Sequence, residues 1–454
     1  MPIGQDDTTL AEKFADHFMN KIQNIREFLK EFENHKPCHK DTPIFDTFQE
    51  LNTEDIKKLI TQLQTKSCEL DVLPTHILKL YLNELLSIIT KLVNLSLKQG
   101  VFPSKWKRAM VRPLIKKIGI ELEFTNYRPV SNLSFLSKLI EKAALYRLNI
   151  HVEDSNLLPK NQSAYRRHHS CETALLRLVN DLLDGMEKQE VTALIAIDLS
   201  AAFDTVDHSI LLDVLEKQYG VGGKALDWLD SYLRPRSCYV KVGSSTSTVR
   251  ELQCSVPQGS CLGPWLYLTY AGTLFDVMSP SVTVYGFADD HTANTRFRSN
   301  PISERDAVQK LEKCAMSINN WMNENKLKMN SSKTEFIMFG SRQQLDKCST
   351  SSINIAMDTI EKQKYIRYLG AFLDESLNFK EHIKRKCRAA MLNFFLIKSI
   401  RKYLTSEATE ILCLSLVISH LDYCNALLYG VSQCDLNKMQ RIQNMCACKT
   451  DSQA

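Results

Sequence analysis

Glycine is scarce in this sequence, at 15 of 454 residues, or about half the usual ~7%. Where a scarce residue stands is informative. Eight of the 15, at positions 220, 222, 223, 243, 259, 263, 272 and 286, fall within residues 220–286. Glycine lets a backbone turn left-handed or approach a ligand closely, so a close-approach site is expected there. Gly220, Gly222 and Gly223 read instead as a helix terminus and turn, which leaves Gly259 and Gly286 as the glycines of interest. Metal-binding cysteine spacing is also missing. There are fourteen cysteines but no Cys-x-x-Cys; Cys446 and Cys448 stand too close for a zinc pair, and His35, Cys38 and His39 make only a half-site. Reduced, mostly buried thiols are expected. Long apolar runs are absent: the longest, Ile411 to Ile418, is far short of the ~20 residues of a membrane span. With no signal-peptide pattern, repeat or low-complexity tract, a soluble intracellular protein is expected, in nucleus or cytoplasm.

What is present bounds the class. Hydrophobic residues make up 44%, which excludes a largely disordered chain. The net charge of +5 excludes a histone-like arm, yet the basic residues are clustered. From Lys98 to Lys117 seven of twenty residues are basic and none is acidic, with Phe102 and Trp106 interleaved. From Lys380 to Lys402 eight Lys or Arg stand against the single acid Glu381. Such stripes are either solvated faces or grips for phosphates.

The length allows roughly two to four domains of ~100–200 residues. Residues 1–60 read as helix-like, with Phe14, Phe18, Ile22, Ile25 and Phe28 at helical spacing. Helical pattern continues through Ile77–Leu97, where Leu80, Leu82, Leu85, Leu86, Ile89 and Leu92 give a face for burial. Then the period changes. Val191 to Ile197 is a short apolar run ending at Asp198, a buried strand. Ser281 to Ala288 alternates, Asp289 and Asp290 make a turn, and Thr292–Phe297 returns, a hairpin with two carboxylates at its tip. Helices are expected at Ile302–Asn325, from Thr405 onward, and at Leu436–Cys448.

Carboxylates set beside apolar strands are costly unless neutralised. Magnesium neutralises them well, because it takes carboxylate and phosphate oxygens together. An Asp-Asp pair alone is more often a solvated turn; its company gives it weight. Ile195-Ala-Ile-Asp-Leu-Ser-Ala-Ala-Phe-Asp204, Val256-Pro-Gln-Gly-Ser260 and Tyr285-Gly-Phe-Ala-Asp-Asp290 resemble, in order and spacing, the catalytic motifs of reverse transcriptases. Asn126-Tyr-Arg-Pro-Val-Ser131, Gln162-Ser-Ala-Tyr-Arg166, Leu327-Lys-Met-Asn330 with Lys333-Thr-Glu335, Tyr368-Leu-Gly370 and His420-Leu-Asp-Tyr-Cys-Asn425 resemble the enzymes of non-long-terminal-repeat (LINE-type, jockey-like) retrotransposons. The resemblance runs from about Lys66 to Asn444.

The resemblance implies an RNA-directed DNA polymerase that extends a primer 3′-hydroxyl with deoxynucleotides. It implies two magnesium ions, with manganese as a substitute, held by Asp198, Asp289 and Asp290 with the Leu199 carbonyl as helper. Phe203 would be the steric gate against a ribose 2′-hydroxyl. Gln258 and Gly259 would form the nucleotide-contacting loop, while Arg128 with Lys116 or Lys117 would grip the triphosphate. Lys333 would protonate the leaving pyrophosphate, and for Arg166 a structural role is as good a reading. Tyr368 to Gly370 would be the primer grip, and the basic stretch 380–402 would hold the heteroduplex backbone. The expected partners are template RNA, primer DNA and deoxynucleoside triphosphates, with no membrane; no protein partner is deducible.

The implied fold class is α+β, a right-hand polymerase with an antiparallel-sheet palm. Its domains would be a helical N-terminal remnant over 1–65, fingers over 66–190, palm over 191–375 and a helical thumb over 376–454, with the reverse transcriptase domain at about 107–373. Residues 1–65 are too short for the endonuclease such elements usually carry, and nothing after Lys449 forms a Cys-rich knuckle. A fragment of an element's reading frame, or a decayed copy, is therefore expected. Two other readings compete. One is a catalytically idle RNA- or DNA-binding protein that keeps the fold. The other is an unrelated metal-dependent hydrolase, which leaves the Pro-Gln-Gly-Ser loop and Phe203 unexplained.

Overall fold

The computed structural model of the protein describes residues 6–66, 68–117 and 119–451; the ends of the expected N-terminal and C-terminal segments lie outside them. The chain gathers into two compact units. The first comprises Met1–Lys160, Leu199–Val277 and Ile318–Met329; the second comprises Asn161–Asp198, Met278–Ser317 and Asn330–Ala454. Compactness thus follows a different division from the linear succession of domains, since each unit is assembled from three stretches of chain. Helices and sheets mix in both, as the α+β class requires.

In the first unit, Asp6 caps the opening helix Asp7–Phe28 by accepting from the backbone N–H groups of Thr8 and Thr9. Its apolar stripe, Leu10, Ala11, Phe14, Ala15 and Phe18, buries against Val111, Tyr127, Val240 and Val242 of a sheet. In that sheet Tyr127–Asn132 pairs with Arg108–Ile115, which pairs in parallel with Arg236–Val242. Phe14 meets Phe124 and Tyr127 edge-on at 4.7 and 4.9 Å, the favoured aromatic geometry. The helical expectation for residues 1–60 needs correcting beyond Phe28. The chain runs without helix to Asn52, through Pro37 and Pro43, which cannot sit inside a helix; a new helix, Thr53–Gln62, then starts on the Asn52 cap.

The single buried face expected over Ile77–Leu97 is also corrected. The pattern breaks at Tyr81 into Thr75–Leu80 and Leu82–Gln99. After the break Leu86, Ile89, Val93 and Leu97 turn inward, whereas Leu80 is 74% exposed. Gly100 ends the second helix in the left-handed conformation, as a C-terminal glycine does.

In the second unit a four-stranded antiparallel sheet runs in the order Glu335–Phe339, Glu190–Ile197, Asp290–Arg298, Thr283–Phe287. Leu175, Leu178, Val179 and Leu182 of the helix Cys171–Glu187 share a core with Leu194, Ile337 and Phe339 of this sheet and with the hairpin Tyr365–Tyr368/Ala371–Asp374. The helix Lys380–Ile400 buries Ala390, Phe394 and Ile397 with Cys413, Val417, Leu421, Ile442 and Cys446. The helix expected from Thr405 onward is interrupted: Ser406–Cys413 passes through a π-turn into Ser419–Asp422, and Gln433–Asp451 follows a break. No cysteine among the described residues is in a disulfide, and five are buried, Cys254, Cys314, Cys413, Cys424 and Cys446. The others, Cys238 of the strand Arg236–Val242 among them, are partly or fully exposed, so the expectation of mostly buried thiols is revised. Among the described residues no helix is long and apolar enough to cross a membrane.

Candidate functional site

The carboxylates lie in the second unit. Glu190–Ile197 and Asp290–Arg298 pair antiparallel with Ile197 opposite His291, which sets Asp198 and Asp290 at the ends of neighbouring strands. The hairpin is tighter than expected. Phe287 pairs directly with Asp290, so the turn residues are Ala288 and Asp289, and Asp290 is the first strand residue rather than part of the turn. Ala288 carries a left-handed φ of 56°, a conformation that costs a non-glycine residue on the order of 1 kcal/mol. Neighbouring chain holds it there. Gly286 exchanges hydrogen bonds with segment 161–163, donating to the Asn161 carbonyl and accepting from the Ser163 N–H, both at 2.9 Å. The Gln162 side-chain oxygen accepts from the N–H groups of Ala164 and Ala288 at 3.1 and 3.3 Å.

The electrostatics of this corner are unbalanced. Burial, then the Asp289 and Asp198 charges, push the Asp290 carboxyl up to about 6, only partly opposed by Lys333 and Arg367. Lys333 Nζ stands 3.2 Å from Asp198 Oδ2, and Asn330 Nδ2 donates to the same oxygen at 3.2 Å. The Asn330 N–H donates to the Asp198 carbonyl at 2.9 Å, so the segment after Met329 braces Asp198 at both backbone and side chain. An all-oxygen set of this kind suits a hard divalent cation. Among the described residues no three His, Cys, Asp or Glu side chains converge as a ready metal cage.

The first unit holds the other expected residues. Leu199 is buried in the short strand Leu199–Ser200, opposite Met329. Phe203 is half-buried, and its ring stacks on Tyr267 with centroids 4.6 Å apart; its carbonyl accepts from the Val256 N–H at 2.9 Å. The loop after Val256 is pinned at every step. The Gln258 carbonyl accepts from the Ser131 N–H at 2.8 Å, and Gln258 Nε2 donates to Asp204 Oδ1 at 2.8 Å. Gly259 has φ +122°, and a Cβ there would meet the Ser131 carbonyl oxygen at 2.3 Å, so no other residue fits unstrained. The Ser260 N–H donates to the Pro257 carbonyl at 3.1 Å, and Ser260 Oγ accepts from the Gly263 N–H at 2.7 Å. Buried Glu141 then accepts from the Cys261 and Leu262 N–H groups at 2.8 and 3.4 Å and from Ser137 Oγ at 3.1 Å.

Arg128 is exposed on the strand Tyr127–Asn132, opposite Leu114. Lys116 and Lys117 are exposed just past the neighbouring strand, and Lys116 Nζ donates to the Thr125 carbonyl at 2.6 Å. Much of the first basic tract is locally engaged: Lys98 with Glu50 at 3.1 Å, Arg112 with Glu69 at 3.2 Å, Lys107 with the Arg234 carbonyl at 3.3 Å. Exposed pairs of this kind are weak, about 0–1 kcal/mol, and a polyanion could displace them. Arg166 NH1 donates to the Gln162 carbonyl at 3.0 Å. Tyr368 and Ala371 close a two-residue turn through Leu369 and Gly370, both left-handed.

Sequence reasoning missed four members of these networks: Glu141, Asp204, Gln162 and Arg367. Asp204 and Gln162 stand inside quoted motifs, so a polar residue among apolar neighbours was the available signal. Glu141 and Arg367 carry no local signal, because their partners lie far along the chain.

A family model described as reverse transcriptase (RNA-dependent DNA polymerase) matches residues 115–373. Among curated relatives, the probable RNA-directed DNA polymerase from transposon X-element of Drosophila melanogaster is 27% identical over 449 residues, covering 96% of this chain and 47% of the relative. The RNA-directed DNA polymerase from mobile element jockey of the same species is 28% identical, covering 73% of this chain and 36% of the relative. The probable RNA-directed DNA polymerase from transposon BS, again of that species, is 27% identical, covering 97% and 49%. The chain therefore spans about half or less of the length of these relatives.

Proposed function

The chain belongs to the reverse transcriptase (RNA-dependent DNA polymerase) family, and from that premise we propose that it extends a primer 3′-hydroxyl with deoxynucleotides copied from template RNA. Its fold class is the family's right-hand polymerase. The observation that carries the proposal is the pairing of Ile197 with His291, which sets Asp198 and Asp290 at the ends of neighbouring strands, with Lys333 at 3.2 Å from Asp198. Asp198, Asp289 and Asp290, with the Leu199 carbonyl, would hold divalent magnesium, or manganese in its place. Two such ions, when bound, lower the pKa of the attacking hydroxyl and stabilise the leaving oxygen.

The chain's own residues account for the rest. The primer 3′-hydroxyl loses its proton to solvent as its oxygen bonds to the α-phosphorus and the bond to the bridging oxygen breaks, releasing pyrophosphate. Lys333 exchanges its ion pair with Asp198 for one with the leaving phosphate and then gives its proton to that group. Arg128 with Lys116 or Lys117 grips the triphosphate through charge-assisted bonds. Gln258 and Gly259 bring side-chain amide and bare backbone against the nucleotide, and Phe203 occupies the space a 2′-hydroxyl would need. Residues 66–190 act as fingers, 191–375 as palm and 376–454 as thumb. The exposed cations of Lys380–Ile400 (Lys380, Lys384, Arg385 and Arg388) face the heteroduplex backbone.

Primer extension by the purified chain on an RNA template, with magnesium, tests this. Asp289→Ala is expected to lower the rate by about 10³-fold or more, the scale of losing a main source of charge stabilisation. Extension that survives this change overturns the carboxylate assignment. Salt-sensitive RNA binding with no incorporation by the unaltered chain would establish the idle-binder reading instead.

A further inference from the structure

We propose that Asp204 is the positioning residue for Gln258, fixing which end of the glutamine amide meets the nucleotide; this rests on the reading of Gln258 as a nucleotide contact. An amide group has a donating end and an accepting end, whereas a carboxylate only accepts. With Gln258 Nε2 donating to Asp204 Oδ1 at 2.8 Å, the amide nitrogen is committed and Oε1 is the end presented elsewhere. The Gln258 main chain is held by the Ser131 N–H at 2.8 Å, so Asp204 acts on what is left, the side-chain torsions that decide how the amide is turned.

The surroundings make this hydrogen bond strong. Asp204 and Gln258 line a cavity of about 50 Å³ whose other walls include Phe18, Met19, Ile22 and Val240. A charge-assisted bond is worth more in such apolar surroundings than in water. The same cavity is lined by Pro129 and Ser131, which alternate with Arg128 along their strand. Burial pushes the Asp204 carboxyl up to about 6, opposed by Lys21 of the opening helix and by the Gln258 hydrogen bond. The other charged and titratable groups lining the cavity are Cys238, Tyr239 and Arg250, the last paired with Glu12 and Asp16, and beside it the Cys254 thiol donates to the Asp204 carbonyl at 3.5 Å.

The test exchanges donor and acceptor. In single-nucleotide incorporation by the full chain, Gln258→Glu sets two carboxylates face to face and is expected to raise KM for the deoxynucleotide about 30-fold, with kcat changed far less. Asp204→Asn alone is expected to raise KM about threefold. In the double variant the amide introduced at position 204 donates to the carboxylate at 258, and KM falls at least about tenfold below that of Gln258→Glu alone. KM values that simply multiply overturn the proposal. A readout without catalysis separates its failure from failure of the functional reading. With glutamine labelled by ¹⁵N, the Gln258 side-chain amide resonance, identified by its loss in Gln258→Glu, is expected to titrate near pH 6 and to become flat in Asp204→Asn. A flat signal in the unaltered protein overturns the Asp204 assignment. No incorporation by the unaltered protein, with that titration intact, overturns only the polymerase reading.

Discussion

The carboxylate corner of the second unit and the Pro257–Ser260 loop of the first unit use acidic side chains in opposite ways. At the corner Asp198, Asp289 and Asp290 are set against one another, and the Asp290 carboxyl is pushed up to about 6 by burial and its two neighbours. Around the loop, Glu141 and Asp204 each accept hydrogen bonds from the chain they support. One region stores unbalanced charge that a cation and a polyphosphate could relieve. The other is nearly complete as it stands, so its atoms are fixed before any ligand arrives. The loop's acids are also raised by burial, but the chain they support hydrogen-bonds them, whereas at the corner like charges crowd one another, and each region can be altered on its own.

The largest effect is expected on the satisfied side. Glu141→Ala removes the acceptor for two backbone N–H groups and for Ser137 Oγ, and it takes away a carboxyl that burial pushes up and the Arg236 charge opposes. Buried donors left unpaired cost about 1–3 kcal/mol each, so a stability loss of about 3 kcal/mol is expected. Urea unfolding followed by circular dichroism measures it. Glu141→Gln, which keeps one acceptor oxygen, should recover most of the loss. A Glu141→Ala protein as stable as the parent would mean that the loop is not held by this carboxylate.

The opposite sign is expected at the corner. The Asp290 carboxyl is higher in the folded protein than its ordinary value of 3.8. Its contribution to stability is therefore present below about pH 4 and is lost as pH rises through about 6. With a chelator present, Asp290→Ala should stabilise the protein by on the order of 2 kcal/mol at pH 7.5, allowing for solvent screening, and by little at pH 4. Thermal unfolding at the two pH values checks it. The same variant should lose primer extension, so stability and activity would move in opposite directions. A stability loss at pH 7.5 would show that the crowding is already relieved within the chain.

These two predictions mark the limit of what could be read from the sequence. Asp198 and the Asp289-Asp290 pair were legible because a strand-length apolar run ending in Asp, and an alternating hairpin with acids at its bend, are local patterns. The opening helix was legible from the spacing of Phe14, Phe18 and Ile25, but its position over the sheet of Val111 and Val240 was not. Glu141 was invisible for a definite reason: it lies 120 residues from the Cys261 N–H it binds, and a buried glutamate on a helix looks like a surface one until the fold brings its partner. Gln258 and Asp204 are 54 positions apart, so each was visible as a motif residue while the bond between them was not. The break at Tyr81 escaped because leucines on both sides continue a helical spacing that the turn then rotates.

Phe203 tests the boundary between the two kinds of residue, since it belongs to the packed framework and is proposed to face the substrate. Its ring stacks on Tyr267 at 4.6 Å, a contact worth about 1 kcal/mol beyond area burial. A purely structural phenylalanine would, on truncation, lose that stack and lower stability while leaving the choice between deoxyribonucleotides and ribonucleotides unchanged. A gate would do more. Phe203→Ala opens space where a 2′-hydroxyl would otherwise clash, and the ratio of kcat/KM for a ribonucleotide to that for the matching deoxynucleotide should rise about tenfold, or about 1.4 kcal/mol of discrimination. Measuring both kcat/KM values on one template, with unfolding followed in parallel, separates the two roles. A fall in stability with an unchanged ratio would return Phe203 to the framework beside Tyr267, and the nucleotide side of the loop would then rest on Gln258 and Gly259 alone.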